Sequence, residues 1–281
     1  MLGLLILCII VVVGGGSVLL ANEANATPVP TAITTCEGLL KNVHSAYSAN
    51  KNIKTDKKYI LNVYQVEGDQ ISGMEKGMVP TNLLKFQDDL ESQILIWDYF
   101  ASIIPPEQRR SLTEYRIFTD GSGNIAGYAD IKLSSKNESA TETMALEVDL
   151  AGYQDLNSIN DTLVHEFGHM LTLNNRQIDI KTDPTRCLFY TTAGQCSFGD
   201  SYLNRFFEQF RKREPDEERE TGTPDLREEI ADSWTNFVME PRPTGNRLSA
   251  QKILFFYNFP ELVSLRSAIR GRICKYFNMP E

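Results

Sequence analysis

His165-Glu166-Phe167-Gly168-His169 sets two imidazoles four residues apart, with a carboxylate directly after the first. Side chains at this spacing share one face of an α-helix and are close enough to bind a single Zn²⁺. The glutamate between them can then reach a water polarised by that ion and take its proton. The chemistry suited to such a group is hydrolysis, with Glu166 as general base.

The segment around the motif has to be a helix for this to work, and its pattern is helical. At about 100° per residue, Leu163, Val164, Phe167, Met170 and Leu171 fall on one arc. His165 and His169 fall on the opposite side, so the core face and the histidine face are distinct. Ser158-Ile159-Asn160-Asp161 reads as a capping-box start, and Asn174-Asn175 as a stop.

A hydrolytic zinc site usually has three protein ligands. The chain has three histidines, and the third, His44, lies far upstream in another helical pattern, where it reads as a surface or packing residue. The longer pattern H-E-x-x-H-x-x-G-x-x-H is absent. Thr172 stands at its glycine position and Asn175 at its third histidine. A carboxylate is therefore expected to complete the set. Glu228 is the best candidate, on a helix whose apolar arc is Ile230, Ala231, Trp234, Phe237 and Val238. Asp232, four residues on, is placed to hold a histidine N–H. Glu229 is the rival ligand, although Ser233 rather than a carboxylate follows it by four.

The chain has 281 residues, a net charge of −9, and is 42% hydrophobic and 23% charged. That length allows one large domain or two small ones around a substantial core. The acidic balance, without Lys and Arg clustered among aromatics, argues against nucleic acid as a partner. Residues 2–20 are almost wholly apolar and uncharged, and Ala24-Asn25-Ala26 offers a small-x-small cleavage site. Residues 1–26 thus read as a signal peptide or as an N-terminal membrane anchor. Either reading puts the rest of the chain outside the cytoplasm, secreted or attached to the membrane through residues 2–20. Four cysteines then remain, and an even count in an exported chain suggests disulfides. The pairs expected are Cys187–Cys196, closing a short loop, and Cys36–Cys274, tying the two ends together. No C-x-x-C pair exists to suggest a cysteine-bound metal.

Residues 27–35 read as a linker, and residues 36–281 as the functional domain. Helical patterns cover about 37–49 and 81–104, the latter ending at Pro105-Pro106. A strand is expected at 59–66, and a hairpin at 116–119 and 126–129 around Asp120-Gly121-Ser122-Gly123-Asn124. Another strand is expected at 144–150, directly before the motif helix. Residues 211–229 read as a charged loop running into a helix start, and 249–277 as helical with a break at Pro260.

The order of hairpin, strand and H-E-x-x-H helix resembles the zincin fold, and H-E-x-x-H followed by E-x-x-x-D resembles the gluzincin-type zinc metallopeptidases. The chain is also similar to uncharacterised exported zinc metallopeptidases of bacteria. The resemblance implies an α+β fold, with a small mixed sheet whose edge strand lies beside the motif helix and a mainly helical C-terminal part. It implies one zinc ion on His165, His169 and Glu228, with Glu166 as base and Asp232 orienting a histidine. The substrate would be a protein or peptide, held by the edge strand at 144–150. Gluzincins also use a Tyr or His to steady the developing negative charge, which points here to Tyr202 or Tyr190. Arg227 and Ala231 stand where thermolysin-like members have Asn and Ser, so that subgroup is not implied. A non-catalytic zincin-like surface-binding module and an amidase acting on cell-wall material are the alternative functions.

Overall fold

The computed structural model describes residues 35–45, 55, 57–121, 127–136, 139–150, 156–179, 196–211 and 225–278. They belong to one unit, residues 34–281. Its sheet has five strands: β1 (Tyr59–Glu67), β2 (Gln70–Lys76), β3 (Leu112–Thr119), β4 (Gly127–Lys136) and β5 (Ser139–Asp149). The order is β2-β1-β3-β5-β4. β3 and β5 run parallel, and the other neighbours run antiparallel. The sheet is therefore mixed, and with the helices below the fold is α+β, as expected at that level.

Two expectations about the strands are corrected. Residues 116–119 and 127–129 do not form a hairpin with each other. β3 pairs instead with β1 and β5, and β4 pairs with β5 (Gly127 opposite Val148). Residues 144–150 are also not the sheet edge; that place belongs to β4. Burial gives the reason. All of residues 144–150 are buried, which requires neighbours on both sides, whereas β4 carries the half-exposed Tyr128. β2, not anticipated as a strand, folds back on β1 through Gly68, whose φ of +64° suits glycine.

The helices are α1 (Cys36–Ser45), α2 (Leu84–Gln87), α3 (Leu90–Ile103), α4 (Leu156–Thr172), α5 (Tyr202–Phe210), α6 (Leu226–Met239), α7 (Leu248–Phe256) and α8 (Pro260–Tyr276). The pattern at 81–104 is thus split. Asp89 accepts a hydrogen bond from the Ser92 N–H at 3.2 Å and starts a new helix. α4 begins earlier than its expected cap. Asn160 lies inside it, fully buried, accepting from the Tyr99 hydroxyl at 2.6 Å. It joins α3 to the motif helix rather than capping it. The expected stop holds, because the Asn174 amide donates to the carbonyls of Met170 and Leu171. Beyond it, two short strands, β6 (Ile178–Asp179) and β7 (Cys196–Ser197), pair antiparallel. The break at Pro260 separates α7 from α8, with proline in the first turn.

The last turn of α6 ends against α8 rather than in water. Arg270 donates to the carbonyls of Val238 (2.7 Å) and Met239 (3.1 Å), and Arg266 to those of Phe237 (2.5 Å) and Glu240 (2.7 Å). These satisfy carbonyls that a helix end leaves open. Arg270 also pairs with Glu37 of α1, and the Cys36–Cys274 disulfide fastens α1 to α8 as expected. Replacing Arg270 by Met strands those buried carbonyls and should cost about 2–3 kcal/mol. That corresponds to a fall of roughly 5–10 °C in Tm by calorimetry.

Candidate metal centre

Gly168, the small residue of the motif, sets the distance between the two helices that matter. A Cβ there would lie 2.9 Å from Cδ1 of Trp234 and 3.3 Å from the Cα of Ala231. Glycine on α4 facing alanine on α6 lets the two backbones nearly touch. Asp225 fixes where α6 begins, accepting from the Arg227 N–H at 3.0 Å. Glu228 then falls in the first turn and Asp232 one turn later, both alongside the histidine face of α4.

The result is a triangle of donor atoms. His165 Nε2 lies 3.1 Å from His169 Nε2 and 3.2 Å from Glu228 Oε2, and the third side is 3.5 Å. An ion with bonds of 2.0–2.1 Å in tetrahedral geometry has ligand–ligand edges of about 3.3–3.4 Å. The triangle therefore has the size that one such ion needs, and among the described residues this group could hold a metal. Asp232 Oδ1 lies 2.9 Å from His165 Nδ1, which fixes that ring and turns its other nitrogen toward the triangle. The buried Nδ1 of His169 has no hydrogen-bond partner among the described residues.

The electrostatics favour a cation at this point. Burial alone would lower the His165 pKa, but the Asp232 and Glu228 carboxylates outweigh it and raise the value to about 10. Hydrogen bonds from His165 and His169 hold Glu228 well below the usual carboxylate range. Without metal, the Asp232 and Glu228 carboxylates favour the protonated form of His165. The linkage has a definite sign. A folded-state pKa above the ordinary 6.5 supplies stability that is complete below pH 6.5 and lost as pH rises through about 10. Metal-free protein should therefore lose Tm across that window. His165→Gln should lose less of it, as read by calorimetry at successive pH values.

Glu166 is 5% exposed and pressed against the edge strand. A Cβ on Gly127 would lie 2.8 Å from its Cγ and 2.9 Å from its Oε1, so β4 reaches the carboxylate only because that position is glycine. The Ala129 backbone N–H donates to it. Burial raises the Glu166 pKa to about 7, against the lowering pull of His169 and His165. Its other oxygen, Oε2, is buried without a hydrogen-bond partner among the described residues. A carboxyl held near neutrality with one free oxygen can both accept and release a proton at physiological pH.

The remaining candidates lie in different settings. Glu229, the rival ligand, is buried in ion pairs with Arg211, at the end of α5, and Lys252, on α7. It anchors α6 while Glu228 faces the histidines. The Tyr202 hydroxyl donates to Glu261 Oε1 at 2.9 Å, and its ring meets Phe259 edge-on. Its phenol pKa is raised, first by burial and then by Glu261. Tyr190 and Cys187 lie outside the described residues, as do residues 1–34; Cys196 is disulfide-bonded. His44 lies in α1. Gly127 and Ala129 had no signal in the sequence, because the contact depends on which strand takes the sheet edge. No known protein family matches the chain, and no curated protein or solved structure does either.

Proposed function

We propose that the chain is a zinc-dependent peptidase of the gluzincin type on a zincin-like fold. The observation that carries this reading is the triangle of His165, His169 and Glu228 with the buried Glu166 carboxylate beside it. Held there, zinc would supply Lewis acidity toward a scissile carbonyl and toward water. Glu166 takes the proton of the attacking water and passes it to the leaving amine, a task that suits a pKa of about 7. Asp232 keeps His165 in the tautomer whose Nε2 faces the ion. β4 pairs with β5 along one side, and among the described residues no strand covers its other edge. An extended peptide can add there by main-chain hydrogen bonds.

The protein acts outside the cytoplasm in this reading, which the Cys36–Cys274 disulfide supports. A module that only binds a surface partner would have no use for a carboxyl buried at a cost beside a metal site. Zymography of the mature protein on casein and on cell-wall fragments, with and without chelator, tests the proposal. Casein clearing that zinc restores after chelation is expected. Clearing of cell-wall material alone would replace the substrate class, and no clearing of either would leave a binding module.

A further inference from the structure

Tyr128 is 51% exposed and lies on β4 between Gly127 and Ala129, the two residues whose backbone meets Glu166. The register puts it opposite Glu147, on the face of the sheet away from those two contacts. Its ring is supported rather than loose. The Lys58 amine lies 5.1 Å from the ring centroid and 4.2 Å from that of Phe118, and it is ion-paired to Glu147.

Arg227 lies in the first turn of α6, one residue before the ligand Glu228. Its Nε and Nη2 bond the Asp225 carboxylate at 3.0 and 2.6 Å, and Nη1 has no partner among the described residues. The Tyr128 phenol and the Glu228 carboxylate are both within electrostatic reach of the guanidinium. The same two elements thus carry the base contact, a metal ligand, an exposed aromatic and a partly free guanidinium.

We propose that Tyr128 is a specificity-determining residue that takes a large aromatic side chain of the peptide substrate. This rests on the peptidase reading. A strand added to the outer edge of β4, which no described strand covers, must place one side chain across from Tyr128, with Cβ atoms about 4.5–5.5 Å apart. Aromatic pairs are among the most favourable at that spacing. An acidic side chain fits less well. Asp225 already neutralises Arg227, and Glu147 neutralises Lys58.

The test uses the zinc-loaded mature protein, Tyr128→Phe and Tyr128→Ala against a peptide library, with zinc content measured for each. The parent should prefer Phe, Tyr or Trp at one position near the cleaved bond, and Tyr128→Phe should keep that preference. In Tyr128→Ala the selectivity for the aromatic peptide over its alanine counterpart should fall about tenfold, with one zinc still bound. A parent without aromatic preference, or a Tyr128→Ala variant with the parent's selectivity, overturns the assignment. A zinc-loaded parent that cuts no peptide at all is a different result, because it removes the peptidase reading itself.

Discussion

Glu166→Gln is expected to leave the fold and the bound metal intact and to lower kcat on the order of a thousandfold. The amide fills the same space against Gly127 and keeps an oxygen to accept from the Ala129 N–H. It has no proton-accepting oxygen at neutral pH. The loss should appear in kcat and in kcat/KM alike, because the group acts in the transition state rather than in binding. Removing the carboxyl also removes a buried group whose charge is costly. The variant should therefore melt no lower than the parent at pH 8. A Glu166→Gln protein that hydrolyses peptide at the parental rate would rule out the base.

Gly168→Leu is expected to empty the metal site without altering a ligand. The new side chain would begin 2.9 Å from Trp234 and 3.3 Å from the Ala231 backbone, in the contact that sets the α4–α6 distance. α6 must move away, and Glu228 and Asp232 move with it. Overpacking of this kind costs about 1–3 kcal/mol. The triangle of 3.1, 3.2 and 3.5 Å opens at the two sides that involve Glu228. Zinc titration should show a large loss of affinity while circular dichroism keeps its helical signal. Parental affinity in Gly168→Leu would mean that the helix contact does not set the ligand geometry.

The parts of this site that were legible in the sequence are those in which local periodicity fixes position. The spacing of His165 and His169 needs only a helix, and the apolar arc through Leu163, Phe167 and Met170 supplies it. Glu228 and Asp232 were legible for the same reason, as a pair one turn apart beside an apolar arc. The sequence also favoured Glu228 over Glu229, because Asp232 follows it by four, but the ion pairs that occupy Glu229, with Arg211 and Lys252 of other helices, were not legible. Strand order was illegible too. The Asp120–Asn124 turn residues and the flanking apolar runs suit a hairpin locally, yet the fully buried stretch at 144–150 competes for the place beside β3 and takes it. The consequence reaches the chemistry. With β4 at the edge, Gly127 and Ala129 lie against the base.

The most direct test of the account is metal stoichiometry by elemental analysis after zinc loading and exhaustive dialysis at pH 7.5. The parent and Glu166→Gln should each carry one zinc per chain, and His169→Ala and Glu228→Ala should carry none. A folded parent that retains no zinc, or a His169→Ala variant that retains as much as the parent, would contradict a metal centre built on His165, His169 and Glu228.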